Sequence, residues 1–181
     1  MNTEEFDKVF KNHFVLDVES DGPHPVSYNM ISFGLVNISD NSNSFLGEVS
    51  PIYDNAGIEE ARDISGVSFK SQKLFRSYDA VMLECSIWTH NITGGNRPVI
   101  WSDNPAFDWQ FFNAYIHMSL GENPFGHSAR RIGDLYSGLT NDIRNASKWK
   151  KFRKTKHTHN PIDDAKGNTE AIRQFMTRDL N

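Results

Sequence analysis

Apolar positions fall into short runs in the first quarter of the chain and into three-and-four spacings later, which predicts strands first and helices alternating with strands afterwards. A polar lead at Thr3–Phe10 predicts a first helical turn. Phe14, Val15 and Leu16 then run into Asp17, Val18 and Glu19, a strand over residues 13–18. Residues 20–25, Ser-Asp-Gly-Pro-His-Pro, are turn chemistry. Residues 30–38 are apolar enough for a buried strand, residues 40–43 form a hairpin-type loop, and residues 44–49 give a third strand before Pro51. These three strands predict an antiparallel meander.

Residues 53–68 hold no sustained period and are rich in Asp, Asn, Gly and Ser, which predicts irregular chain with one short helical turn. Phe75, Tyr78, Met82, Cys85, Trp88 and Ile92 then recur at three and four, an amphipathic helix closed by Gly94 and Gly95. Residues 97–102 make a short buried strand. Asn104 as cap and Pro105 as first helical residue open a helix through Phe107, Phe111, Tyr115 and Met118. After a loop at 120–125, residues 128–135 give a fifth strand running into a helix that fades by Asn145. The last helix opens at Asn160 and Pro161, with Ile162, Ala165, Ile172, Phe175 and Met176 as its apolar face. A meander followed by alternating strands and helices predicts an α/β fold: a mixed five-stranded sheet, the meander plus parallel strands, flanked by helices.

The length of 181 residues suits one domain over 1–181. No apolar run is long enough for a bilayer, and residues 1–11 lack the basic start and apolar core of a secretory signal. A cytoplasmic protein with no membrane partner is expected. The single cysteine, Cys85, excludes an internal disulfide and a cysteine-based zinc site, and its apolar surroundings predict a core position. A net charge of −4 argues against a surface built for duplex nucleic acid. Yet residues 148–156 read Lys-Trp-Lys-Lys-Phe-Arg-Lys-Thr-Lys, six cations with no anion in sequence. Setting those six apart from the 19 Lys and Arg leaves 13 against 23 acids. A basic strip on an otherwise acidic protein suits one anionic ligand at one place.

Asp17 and Glu19 are spaced i, i+2, so on a strand both carboxylates face the same way. Such neighbours raise each other's pKa unless a cation lies between them, and Mg²⁺ or Mn²⁺ takes oxygen ligands of this kind. The plainer reading is a strand end with solvated acids. Two later segments share a second pattern. Asn104-Pro105-Ala106-Phe107-Asp108 and Asn160-Pro161-Ile162-Asp163-Asp164 each place an Asp one turn inside a helix start. There the helix dipole favours the ionised form, whether for metal binding or simply for helix stability. His159, directly before the second cap, suits a general base beside a metal. The alternative makes His157 and His159 additions to the basic strip.

Taken together, Asp17-x-Glu19, Asn104-x-x-Phe107-Asp108 and His159-x-x-x-x-Asp164-Ala165 resemble the three motifs of the DEDD exonucleases in the His-containing DEDDh (DnaQ-like) branch. The pattern extends from about Phe14 to Met176. Trp101 before the second motif and the His-Asn-Pro-x-Asp-Asp-Ala run are similar to the compact phage exonuclease A and polyadenylate-specific exoribonuclease AS group. Ser20-Asp21-Gly22 stands where many such proteins carry Thr-Thr-Gly, and Asp103-Asn104 where His-Asn is commoner. Asp164 rather than Asp163 is chosen by its five-residue offset from His159.

The resemblance implies a ribonuclease H-like fold and a 3′–5′ exonuclease releasing 5′-nucleoside monophosphates with two divalent ions, Mg²⁺ or Mn²⁺. Asp17, Glu19, Asp108 and Asp164 would be the metal ligands and His159 the general base. Ser20, Asn104, Lys150, Lys151 and Lys154 are expected substrate contacts. The partner would be single-stranded RNA or DNA with a free 3′ end, and a homodimer is compatible with the chain. Phe33 and Trp109 are read as core in preference to base-stacking positions. Two alternatives stand beside this. One is a non-catalytic single-strand binder using Trp149 and Phe152 on the strip as a stacking surface. The other is an RNase H-like endonuclease.

Overall fold

The computed structural model describes residues 1–177. In chain order its elements are α1 (Thr3–Phe10), β1 (His13–Ser20), β2 (Met30–Asn37), β3 (Ser44–Glu48), α2 (Glu59–Ser65), α3 (Phe69–Gln72) and α4 (Tyr78–Thr93). There follow β4 (Val99–Ser102), α5 (Pro105–Leu120), β5 (Ala129–Arg131), α6 (Ile132–Thr140), 3₁₀ turns at Ile143–Asn145 and Lys148–Phe152, and α7 (Pro161–Thr177).

The strands form one sheet in the order β3-β2-β1-β4-β5. β1 pairs antiparallel with β2, and β2 with β3, as the meander reading expects. β4 lies parallel to β1, and β5 parallel to β4. The mixed sheet of the sequence reading is therefore the observed one.

Strand alternation divides β1 between two cores. Phe14, Leu16 and Val18 face a core shared with Met82 and Cys85 of α4 and with Phe111, Phe112 and Tyr115 of α5. Val15 faces the other, with Phe6 and Phe10 of α1, Ile132 and Tyr136 of α6, and Ala165, Ile172 and Phe175 of α7. By the same period of two, Asp17 and Glu19 continue the Val15 row. The second core thus ends in carboxylates where β1 runs out from under α7. Among the described residues, no helix is long and apolar enough to cross a membrane.

Several expectations are corrected. Residues 53–68 are mostly irregular as expected, but their helix, α2, is longer than one turn, closed by Gly66 in the left-handed region, and α3 follows directly. Its periodicity escapes an apolar search because the buried residue on α2 is Arg62, held by Asp21 at 2.6 Å and Gln72 at 2.9 Å. α4 starts at Tyr78, not Phe75, because the Ser77 hydroxyl accepts the Ala80 N–H and caps the helix there. Met118 on α5 is exposed rather than part of the apolar face. About half of the basic strip is the 3₁₀ turn Lys148–Phe152, anchored by a fully buried Trp149. Trp149 therefore cannot stack a base, as the non-catalytic binder reading required of it beside Phe152. Phe33 is buried and Trp109 packs against the first core, so both are core as expected. Cys85 is buried too, and burial pushes its thiol pKa up.

Candidate active site

The site lies where β1 meets the start of α7. Asp17 pairs across the sheet with Gly34 of β2. A Cβ on Gly34 would come within 2.2 Å of the Pro161 carbonyl oxygen and 2.8 Å of the Ile162 nitrogen. The missing side chain therefore lets the first turn of α7 lie directly on the sheet. That turn is fixed by Asn160, whose side-chain oxygen accepts from Ile162 N–H at 3.0 Å. Asp164, one turn in, is delivered over β1 fully buried. One carboxylate oxygen each from Asp17, Glu19 and Asp164 lie within 4.8 Å of one another.

Asp108 enters from the first turn of α5 and is also buried. One of its oxygens accepts the Val18 N–H at 3.1 Å, and the other accepts the Ser102 hydroxyl. These bonds tie it to β1 and β4 beside the cluster of three. Asn104 precedes it as the cap position, but through its backbone carbonyl only, with no side-chain cap bond. His159 has a left-handed backbone, φ 58°, uncommon for a residue with a side chain. This turns its N–H toward Asp164 Oδ2 at 2.9 Å and leaves its ring half-exposed, with Nδ1 3.9 Å from Glu19 Oε1.

Burial and mutual repulsion dominate the electrostatics. Desolvation, then Asp164 and Asp108, push the Glu19 pKa up to about 8. Asp17 is raised well above the usual carboxylate range by burial and by Asp108, Glu19 and Asp164, against the opposing charge of Arg153. Asp108 is pushed up to about 7 by desolvation, offset by its bonds from Ser102 and Val18. A convergence of oxygen donors whose charge is this unfavourable without a cation fits a hard divalent ion, which takes carboxylate ligands.

Two neighbours of the site were not singled out by sequence reasoning. Arg153 Nη2 lies 2.7 Å from Asp164 Oδ1, and His157 Nδ1 is 2.8 Å from the same oxygen. Both sit in or beside the basic stretch, but nothing in its composition marks which cation turns inward. The strip is not free of anions either, since Lys150 pairs with Asp103 at 2.6 Å. Lys150, Arg153, Lys154 and Lys156 line a cavity of about 400 Å³ together with Asp17 and His157, whereas Lys151 sits outside it over the Phe152 ring. Ser20 is buried and its hydroxyl donates to the Gly22 carbonyl at 2.7 Å, while Asn104 is exposed at the head of α5.

No protein-family model matches the chain. In sequence it is 29% identical over 166 residues to the 3′-5′ DNA exonuclease Cap18 of Escherichia coli, an alignment covering 87% of this chain and 88% of that protein. In structure it is similar to the nuclease domain of 3′hExo, a DEDDh family member bound to rAMP, with a TM-score of 0.72 and 13% identity over 92% of each chain. It is also similar to Escherichia coli exonuclease I in complex with a dT13 oligonucleotide, with a TM-score of 0.66 and 13% identity. That match covers 92% of this chain and 41% of exonuclease I. The expected likeness to the DEDDh exonucleases and the ribonuclease H-like fold are both borne out.

Proposed function

We infer that this protein is a divalent-metal-dependent 3′–5′ exonuclease that removes 5′-nucleoside monophosphates from single-stranded nucleic acid. The observation that carries this reading is the cluster of Asp17, Glu19 and Asp164 oxygens within 4.8 Å, with His159 on its open rim. Asp17, Glu19 and Asp164 would hold one divalent ion, and Asp108 would help to hold a second. When bound, the ions supply Lewis acidity toward the scissile phosphodiester and its leaving oxygen.

The chain's own groups divide the remaining work. His159, half-exposed and hydrogen-bonded to the cluster only through its backbone, accepts at its imidazole the proton of the attacking water. Ser102 and the Val18 N–H fix the two oxygens of Asp108, so that carboxylate needs no reorganisation when substrate arrives. Lys154 and Lys156, beside Asp17 in the cavity, give the phosphate backbone a positive wall. Asn104 is exposed at the head of α5, and Lys150 is available to phosphate once released from Asp103. Lys151 and Ser20 lie in positions less suited to the contacts expected of them. All four carboxylates and His159 come from one chain, so the reaction needs no second copy.

The relative named as a DNA exonuclease makes single-stranded DNA the first substrate to try, with RNA beside it. The test is a time course on 5′-labelled DNA and RNA oligomers with Mg²⁺ or Mn²⁺ and in excess chelator. The reading requires a ladder shortening from the 3′ end, nucleoside 5′-monophosphates as products, and no turnover in chelator. Internal cuts on a hybrid duplex would instead support the endonuclease alternative.

A further inference from the structure

We propose that Arg153 is a resident counter-ion of the carboxylate cluster, a positioning residue that holds Asp164 when no cation is bound and lowers the affinity with which a divalent cation enters. This rests on the metal reading above. Among the described residues, Arg153 is the only Lys or Arg in an ion pair with Asp17, Glu19, Asp108 or Asp164. Its side chain is 12% exposed and that of Asp164 1%, whereas the Lys150–Asp103 pair on the same strip is half open to water.

The fold makes room for this contact. Arg153 follows the 3₁₀ turn pinned by Trp149, with its own N–H donated to the Lys150 carbonyl at 3.2 Å. From there its side chain crosses α7 at Gly167. A Cβ on Gly167 would fall 2.6 Å from Arg153 Nε, 2.8 Å from Nη2 and 2.7 Å from the Thr155 carbonyl oxygen. Nε also reaches that Thr155 carbonyl at 3.4 Å, so the guanidinium is held at both ends of its fork. A guanidinium keeps its charge at any working pH and is planar and multidentate, properties that suit a permanent partner better than an ammonium.

The effect on metal follows from charge. Without Arg153, buried Asp164 would keep only the His157 Nδ1 contact and the N–H bonds of Thr158 and His159 beside Asp17 and Glu19, a costly state for a buried charge. A divalent cation supplies the missing positive charge, so the loss of Arg153 harms the cation-free protein more than the loaded one. By linkage, the cation then binds the variant more tightly. A unit positive charge a few ångströms from the entering ion weakens binding by roughly tenfold or more even in a water-like dielectric.

The experiment uses the full chain with Arg153→Met, Arg153→Lys and Gly167→Ala. Mn²⁺ binding is followed by calorimetry without substrate, and melting is followed in chelator. Arg153→Met should melt lower in chelator yet bind Mn²⁺ roughly tenfold more tightly, with Arg153→Lys between it and the wild type. Gly167→Ala, which displaces the guanidinium from the opposite side, should move both readouts in the same direction and keeps the test alive if Arg153→Met fails to fold. Unchanged or weaker Mn²⁺ binding in the folded variants would overturn the counter-ion role. A wild type that binds no Mn²⁺ at all would instead remove the metal reading, and this inference with it.

Discussion

Replacing Glu19 by Gln should stabilise the cation-free protein at alkaline pH while destroying its response to metal. An unfolded Glu ionises near 4.5, whereas Glu19 in the fold keeps its proton up to about 8, chiefly because it is desolvated and then because it faces Asp164 and Asp108. The sign follows from the direction of that displacement. Below about pH 4.5 both states are protonated and Glu19 costs the fold nothing. As pH rises from there, the unfolded chain gains by ionising and the fold does not, so stability falls and the full penalty is reached above about pH 8. A tenfold change in an ionisation equilibrium corresponds to about 1.4 kcal/mol, which sets the penalty on the order of 5 kcal/mol for a side chain only 13% exposed. For a protein of this size, that is a difference in Tm of roughly 10 °C.

The assay is thermal melting of wild type and Glu19→Gln in chelator at about pH 4.5 and about pH 8.5, repeated at the higher pH with Mn²⁺. The two proteins should melt together at the lower pH, with the variant well above the wild type at the higher. Added Mn²⁺ should raise the wild type strongly and the variant little. A variant that melts at or below the wild type at pH 8.5 in chelator would refute the claim that the cluster is held together against its own charge.

Three further outcomes are expected. His159→Ala should lower kcat by roughly 10²- to 10⁴-fold with little change in Mn²⁺ affinity, and a variant within a few-fold of wild type in single-turnover assays would return His159 to the surface. Gly34→Ala forces a Cβ to within 2.2 Å of the Pro161 carbonyl oxygen. It should cost about 1–3 kcal/mol in urea melts and lower activity further by shifting Asp164, whereas wild-type stability and activity together would show that α7 does not need this close approach. Lys154→Ala with Lys156→Ala should weaken binding of a long oligomer and flatten the log affinity against log salt slope by about 1.4, two single-strand phosphates' worth, while Lys151→Ala leaves the slope unchanged; equal effects from all three would mean that the cavity is not the phosphate path.

What could be read before the structure was local. The Asp17 and Glu19 spacing needs only a strand to put both acids on one face, and Phe14 to Leu16 supply the strand. Asn160 caps α7 in the way its sequence suggests, so Asp164 falls where a one-turn offset places it. The unreadable parts are long-range polar contacts. Arg62 makes α2 a helix with a charged buried side, invisible to a search for apolar stripes, because its partner Asp21 is 41 residues away. Trp149 lies among lysines and reads as exposed, yet the 3₁₀ turn carries it into the second core. Asn104 fits the cap pattern but uses its backbone alone. Ser102, which orients Asp108, belongs to a strand whose sequence gives no hint that its last side chain turns toward a carboxylate.

The delivery of Asp164 by the last helix has a consequence for synthesis. β1 and the Asp17–Glu19 pair leave the ribosome early, but α7 begins only at Pro161. Its packing against β1 and β2 cannot occur until that segment has emerged, and domains acquire their long-range contacts late in translation. A growing chain therefore displays two acids without the third, and without Arg153 or His159, until the segment that carries them has emerged. The complete carboxylate cluster would therefore assemble in one step once Asp164 has emerged, rather than gradually as the chain lengthens.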